Sequence, residues 1–176
     1  MNSIILCGLP GSGKTTIGRR LAERLNCDFR DTDDLIERHY LLLAGEHKSC
    51  REITKSEGEM LFCELESTII KLFLQPTNQV IATGGGTLLN PLNTHHLKSL
   101  GRCVYLKAST STVLPRILQT GMPTYLAPKT PETSLQQLAA VRDPIYASAA
   151  DITIDANHTS VEAIVEELIQ RLHHGK

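Results

Sequence analysis

The stretch Gly8-Leu9-Pro10-Gly11-Ser12-Gly13-Lys14-Thr15 has the spacing Gly-x-x-x-x-Gly-Lys-[Ser/Thr], and each position suits the holding of a polyphosphate. Glycines let a backbone turn its N–H groups inward around an anion where a Cβ would crowd it. A helix that starts at such a loop points its positive end at the phosphates. On this reading Gly11, Ser12, Gly13, Lys14, Thr15 and Thr16 bind the tail of ATP. Lys14 gives a full charge to the β- and γ-phosphates, and the Thr15 hydroxyl reaches Mg²⁺. With glycine at about 7% of residues, an accidental match in a chain this long is of order one per cent.

The loop identifies a nucleotide rather than a reaction, because GTPases, transport ATPases and small-molecule kinases share it. The chain has no Asn-Lys-x-Asp, the guanine-reading pattern of Walker-loop families, and is too short for the extra modules of a motor. A kinase needs an acceptor site, and three features offer one. Asp31 and Asp33, two apart at the end of an expected strand, point to the same side. One carboxylate could then hold a Mg²⁺-bound water while the other takes the proton of a substrate hydroxyl; equally, aspartates at this point could cap the next helix. Gly84-Gly85-Gly86 allows close backbone approach to a ligand, or is simply a flexible turn. Arg142 is a bidentate carboxylate clamp or an exposed, ion-paired arginine.

These residues need elements to position them. Short apolar runs predict strands at Ser3–Cys7, Cys27–Asp31, Gln79–Ala82, Cys103–Lys107 and Ile152–Asp155. Helical spacing of Ile17, Leu21, Ala22 and Leu25 predicts a helix over Thr15–Leu25. Ser49 with Glu52 has the form of a capping box, Gly58 interrupts, and a longer helix is expected over Glu59–Leu74. Thr159 with Glu162 reads as another capping box, ahead of a helix whose face carries Val161, Ile164, Val165, Leu168 and Leu172. Strands alternating with helices predict an α/β fold with a mainly parallel sheet covered on both sides, and ligands at the carboxyl ends of its strands. The stretch 119–133, with Gly121, Pro123, Pro128 and Pro131, lacks periodicity and reads as a mobile lid.

Composition sets bounds. The chain has 176 residues and a net charge of −1, enough for one domain with a proper core and without the basic excess that nucleic acid or an anionic membrane would demand. The apolar run Ile4–Cys7 is too short to span a bilayer and has no basic leader or cleavage site beside it. Cys7, Cys27, Cys50, Cys63 and Cys103 are odd in number and scattered, with no Cys-x-x-Cys pair. They predict buried thiols in a reducing cytoplasm.

The order of the pieces carries further information. The Walker loop is followed by Phe-x-Asp-Thr-Asp-x-x-Ile-Glu (Phe29–Glu37), Gly-Glu-x-x-Phe-x-x-x-Glu (Gly58–Glu66), Gly-Gly-Gly and Arg-x-Pro-x-Tyr (Arg142–Tyr146). That series resembles the shikimate kinase family over nearly the whole chain. The resemblance implies a three-layer P-loop kinase fold with a five-stranded sheet, in one domain spanning residues 1–176, with a substrate-binding segment at about 32–66. It implies transfer of the ATP γ-phosphoryl to the 3-hydroxyl of shikimate, on the way to chorismate and the aromatic amino acids. In that scheme Lys14 and Asp33 are catalytic, with Asp33 also holding the shikimate hydroxyls. Thr15 and Asp31 serve Mg²⁺, Gly84, Gly85, Gly86 and Arg142 bind substrate, and Arg116 and the stretch 155–159 lie near the adenine. The expected partners are ATP and shikimate, without nucleic acid or membrane, and the expected state is a cytoplasmic monomer.

Two positions depart from the pattern. Where the family has Phe-Arg, whose arginine pairs with the shikimate carboxylate, this chain has Phe62-Cys63. Where the lid has Arg-Pro-Leu-Leu, it has Met122-Pro123-Thr124-Tyr125. The segment Leu41–Lys48 is also longer than the family's usual link. Arg51, Lys55 and Lys129 are the cations that could substitute. The alternatives are a kinase for another polyhydroxy acid such as gluconate, and a nucleotide-binding paralogue with impaired catalysis.

Overall fold

The structure, a computed structural model, describes residues 2–124, 126–157 and 160–174. Five strands, β1 (Ser3–Cys7), β2 (Asp28–Asp31), β3 (Gln79–Ala82), β4 (Gly101–Lys107) and β5 (Ile152–Asp155), pair in the order β2-β3-β1-β4-β5. Every pairing is parallel. Strands β1 and β3 are buried at every residue, as the unbroken apolar runs of a sheet covered on both faces require. The exposed residues of β2 and β5 mark them as the edges.

Eight α-helices appear among the described residues: α1 (Lys14–Leu25), α2 (Thr32–Ala44), α3 (Cys50–Glu57), α4 (Glu59–Phe73), α5 (Pro91–Leu100), α6 (Thr110–Thr120), α7 (Pro131–Ala149) and α8 (Val161–His174). Right-handed crossovers fix their sides. The step from β1 to β2 runs opposite to the later steps, so α1 lies on one face, where it packs on α8, and α4, α5 and α7 lie on the other. This is the expected three-layer α/β arrangement. Strand β1 sits where the crossover direction reverses, which gathers the loops after β1, β2 and β3 at the carboxyl edge of the sheet. No described helix is long and apolar enough to cross a membrane.

The main core fills both faces of the sheet around Ile5, Leu6, Ile81, Val104 and Leu106. A second, smaller cluster of Ile36, Tyr40, Ile53, Leu65 and Ile69 holds α2, α3 and α4 together. That three-helix unit covers most of the expected substrate-binding segment. Within it, α2 runs to Ala44, after which Lys48 ties the link back to the Tyr40 hydroxyl and Glu57. The Ser49–Glu52 capping box forms with both of its reciprocal bonds, and Gly58 separates α3 from α4. Of the Thr159–Glu162 pair, Thr159 lies outside the described residues, as does Tyr125, while Glu162 sits in the first turn of α8.

The aperiodic stretch is shorter than its sequence suggests, covering 121–130. At one end Gly121 stops α6 with a positive φ of 105°. At the other, Pro131 opens α7 at a first-turn position, where its missing N–H costs nothing.

Gly18 provides a test of the α1–sheet contact. A Cβ there would lie 2.6 Å from Phe29 Cε2 and 3.1 Å from Leu6 Cδ1. In an open helix Gly→Ala gains about 1 kcal/mol. Here Gly18→Ala should instead lower stability by roughly 1–3 kcal/mol through overpacking; a rise in Tm would show that the sheet yields to the methyl.

Candidate active site

The loop between β1 and α1 is held in a shape that only glycine accepts. Gly13, the residue before α1, has a φ of 95° and no side chain caps the helix N-terminus. The first N–H groups of α1 are therefore left for an anion. At Gly8 a Cβ would lie 2.6 Å from the Leu106 carbonyl, so β4 presses directly on the loop. The Ser12 hydroxyl is buried with no hydrogen-bond partner among the described residues, a donor at an anion-shaped hollow. Thr16 follows on the exposed first turn of α1.

Lys14 Nζ folds back on the loop and donates to the carbonyls of Gly8 and Leu9, each at 2.9 Å. Burial pushes its pKa down, against the pull of Asp33, Cys7 and Asp31. Arg116, on α6, donates to the Gly11 carbonyl at 3.1 Å. The stretch after β5 is tied to the same helix, since Asn157 Oδ1 accepts from the backbone N–H of Ser109 and the Thr112 hydroxyl. His158 and Thr159 lie outside the described residues.

Asp31 takes the capping role its sequence context allowed and also meets Thr15. Its Oδ1 accepts from Asp33 N–H at 3.1 Å, capping α2, and its Oδ2 accepts from the Thr15 hydroxyl at 2.7 Å. Burial raises its pKa while those two donors hold it down. Asp33 is the second residue of α2, in its first turn, and is half-buried. Burial, then the neighbouring Asp31 carboxylate, push its pKa up to about 7, against the pull of Lys14.

The three glycines after β3 lie between this aspartate and α7. Gly84 N–H donates to the Thr32 hydroxyl, and a Cβ on Gly84 would stand 2.9 Å from Asp33 Oδ1 and 3.2 Å from Glu66 Oε1. Gly85 offers its carbonyl to Arg142 Nη1 at 2.8 Å and to the Tyr146 hydroxyl, while its Cα faces Pro10 of the phosphate loop. Arg142 is therefore not a surface arginine; it is 7% exposed and reaches from α7 to the glycine turn.

Glu66 belongs to the same cluster, and its motif position alone gave it no role. It is 5% exposed, accepts from the Thr87 hydroxyl at 2.6 Å, and has its pKa raised by burial against Thr87 and Arg142. The signal was there: Leu65, Glu66, Ile69 and Ile70 form the buried face of α4, and a glutamate inside an apolar stripe rarely stays charged without partners. Cys63 is exposed on the turn of α4 that precedes Glu66. Met122 packs against the main core.

No cluster of three or more metal-ligating side chains occurs among the described residues. The Thr15 hydroxyl and Asp31 carboxylate instead form a two-oxygen corner beside the anion loop. That is a fit for Mg²⁺, which takes one or two protein oxygens and completes its shell with phosphates and water.

The position of Asp33 has a consequence for stability. Its folded pKa of about 7 lies above the ordinary 3.8, so between those values the folded chain keeps a proton that the unfolded chain releases. Its contribution is fully present below about pH 4 and lost as pH rises through about 7. The shift sets an upper bound of about 4 kcal/mol, and solvent reaching the cleft reduces it to the order of 1–2 kcal/mol. Asp33→Asn should therefore melt higher than the parent at pH 8, with the difference narrowing as pH falls below about 7 and closing near about pH 4. An equal or lower Tm at pH 8 would contradict the burial of this charge.

The family model described as Shikimate kinase matches residues 10–173. The shikimate kinase of Caldanaerobacter subterraneus subsp. tengcongensis is 38% identical over 170 residues, covering 97% of this chain and 95% of the relative. That of Thermodesulfovibrio yellowstonii is 35% identical over 179 residues, covering 100% and 99%. Among solved structures, the shikimate kinase from Acinetobacter baumannii in complex with shikimate superposes with a TM-score of 0.89 at 32% identity, over 100% of this chain and 95% of that one. The Aquifex aeolicus enzyme gives 0.79 at 29% identity, over 98% and 97%. With the glycine turn, the paired aspartates and the buried arginine all in one cleft, and relatives matching end to end, the chain belongs to the shikimate kinase family.

Proposed function

We propose that this protein transfers the γ-phosphoryl group of ATP to the 3-hydroxyl of shikimate. The observation that carries the reading is the place of Asp33. It is a carboxylate with a pKa near 7, between the phosphate loop and a glycine turn that Arg142 holds from behind. A general base works best with a pKa near the working pH.

In this mechanism the loop N–H groups and Lys14 hold the β- and γ-phosphates, Lys14 leaving the carbonyls of Gly8 and Leu9 for phosphate oxygens. Bound Mg²⁺, held through Thr15 and Asp31, would neutralise phosphate charge. Lacking side chains, Gly84, Gly85 and Gly86 let the substrate ring approach the turn closely, and Arg142 faces its carboxylate. Asp33 accepts the proton of the attacking hydroxyl, whose oxygen bonds to the γ-phosphorus as the bond to the β–γ bridging oxygen breaks. Arg116 guards the nucleotide side through its bond to Gly11. The loop 121–130 serves as the lid, and the enzyme works as a cytoplasmic monomer.

Gluconate is the control acceptor. A coupled assay of ATP consumption with Mg²⁺ should show turnover with shikimate and little with gluconate; no turnover at millimolar shikimate would remove the proposal. Asp33→Asn should abolish transfer while ADP still binds. In the parent, kcat/KM for shikimate should fall on the acid side with an apparent pKa near 7, the value of Asp33. An acid limb flat down to pH 5.5 would assign the proton to another group.

Cys63 tests the substrate end. It precedes Glu66 by three residues on α4, so an arginine there would enter the same cleft. A charge-assisted hydrogen bond is worth roughly 1.5–3 kcal/mol, and Cys63→Arg should lower the shikimate KM by roughly 10- to 100-fold. An unchanged KM would mean the carboxylate is already gripped.

A further inference from the structure

The cations around the cleft differ in how their charge is occupied. Lys14 donates to Gly8 and Leu9, Arg116 to Gly11, and Arg142 to Gly85. Arg51 has no ion pair or hydrogen bond among the described residues. It is exposed on the first turn of α3, beside Cys50, whose thiol reaches the Asp33 carbonyl at 3.5 Å.

Its guanidinium nevertheless has a defined place. Its Nη1–Nη2 edge meets Gly121, where a Cβ would stand 2.5 Å from Nη1, 2.8 Å from Nη2 and 3.0 Å from Cζ. Gly121 is thus fixed twice, by a φ of 105° and by the arginine on its Cα. The contact ties the start of α3 to the end of α6. Gly121 N–H donates to the Ile117 carbonyl, and Ile117 Cγ1 would be 3.2 Å from a Cβ on Gly11 of the phosphate loop. Arg51 therefore spans from the helix beside Asp33 to the helix that rests on the phosphate loop.

Residue 122, one step along, is a methionine packed on the main core and brings no charge to the cleft. We propose that Arg51 supplies the guanidinium that meets the phosphoryl group in flight, a cation delivered from α3 rather than from the 121–130 loop. The planar fork of a guanidinium matches the oxygens of a phosphoryl group, and a cation placed where charge develops acts on kcat more than on binding. The assignment rests on the kinase reading above, and its test is chosen to be separable from it.

ADP with Mg²⁺ and aluminium fluoride imitates the transferring phosphoryl and needs no acceptor. By calorimetry on the full chain, Arg51→Ala should bind this combination at least ~10-fold more weakly than the parent, while ADP with Mg²⁺ alone stays within about twofold. In the shikimate assay kcat should fall by roughly 100-fold with the shikimate KM within about threefold. Arg51→Lys should recover part of the loss, and adding Met122→Arg to Arg51→Ala should recover roughly tenfold or more. Equal affinities for the fluoride combination would overturn the assignment, and so would a raised shikimate KM at unchanged kcat. If the parent fails to turn over shikimate, the proposed acceptor is wrong, and the fluoride titration alone decides the role of Arg51.

Discussion

The site is organised by charges that the protein holds without fully neutralising. Lys14 and the bare N-terminus of α1 concentrate positive potential in a loop that offers the lysine only two backbone carbonyls. A few residues away, Asp31, Asp33 and Glu66 gather in the same cleft, each with its pKa raised first by burial. Opposite charges so placed would ordinarily collapse into ion pairs. Here the lysine is turned to its own loop and Asp31 to Thr15 and the start of α2. A polyphosphate with a divalent cation would complete both halves, so ligand binding should add stability that the free protein lacks.

What keeps these groups apart is the sheet. β1 and β3 are neighbours and end in the phosphate loop and the glycine turn, while β2, next to β3, ends in Asp31. The spacing of parallel strands therefore sets the spacing of donor loop, glycine turn and base. Glycine turns close the remaining distance: Gly85 touches Pro10 on one side and receives Arg142 on the other, and Gly84 brings Asp33 and Glu66 within reach of one another's field. A side chain at Gly84 would meet both carboxylates, which makes its lack of a Cβ a requirement of the charge arrangement rather than of backbone conformation.

Much of this was legible in the sequence, and the parts that were not have physical reasons. β1 and β3 are bare apolar runs, and α8 has a strong stripe, so each declares itself. α7 does not: its buried face consists of Leu135, Ala139, Arg142, Tyr146 and Ala149, a stripe with an arginine in it and few large apolar residues. Pro115 and Pro144 lie inside α6 and α7, where proline normally argues against a helix. The order of motifs placed Lys14, Asp31, Asp33, the glycines and Arg142 in one site. It could not show Glu66 bonded to Thr87, Tyr146 under Gly85, or Arg51 against Gly121, because these depend on how helices distant in sequence cross.

The two positions at which the sequence departs from the pattern its resemblance implies have different structural weight. Cys63 is exposed beside the cleft, so a charge placed there would leave the scaffold untouched. Met122 is packed on the core, so that position now contributes to anchoring the loop as well as lacking a cation. A cation borne by a loop couples charge stabilisation to loop position. A cation borne by α3 couples it instead to the small core of Ile36, Tyr40, Ile53, Leu65 and Ile69, which also fixes the helix carrying Asp33. Base and cation would then move as one unit, and the 121–130 loop would be left to exclude water, with Gly121 shaped to let the arginine pass.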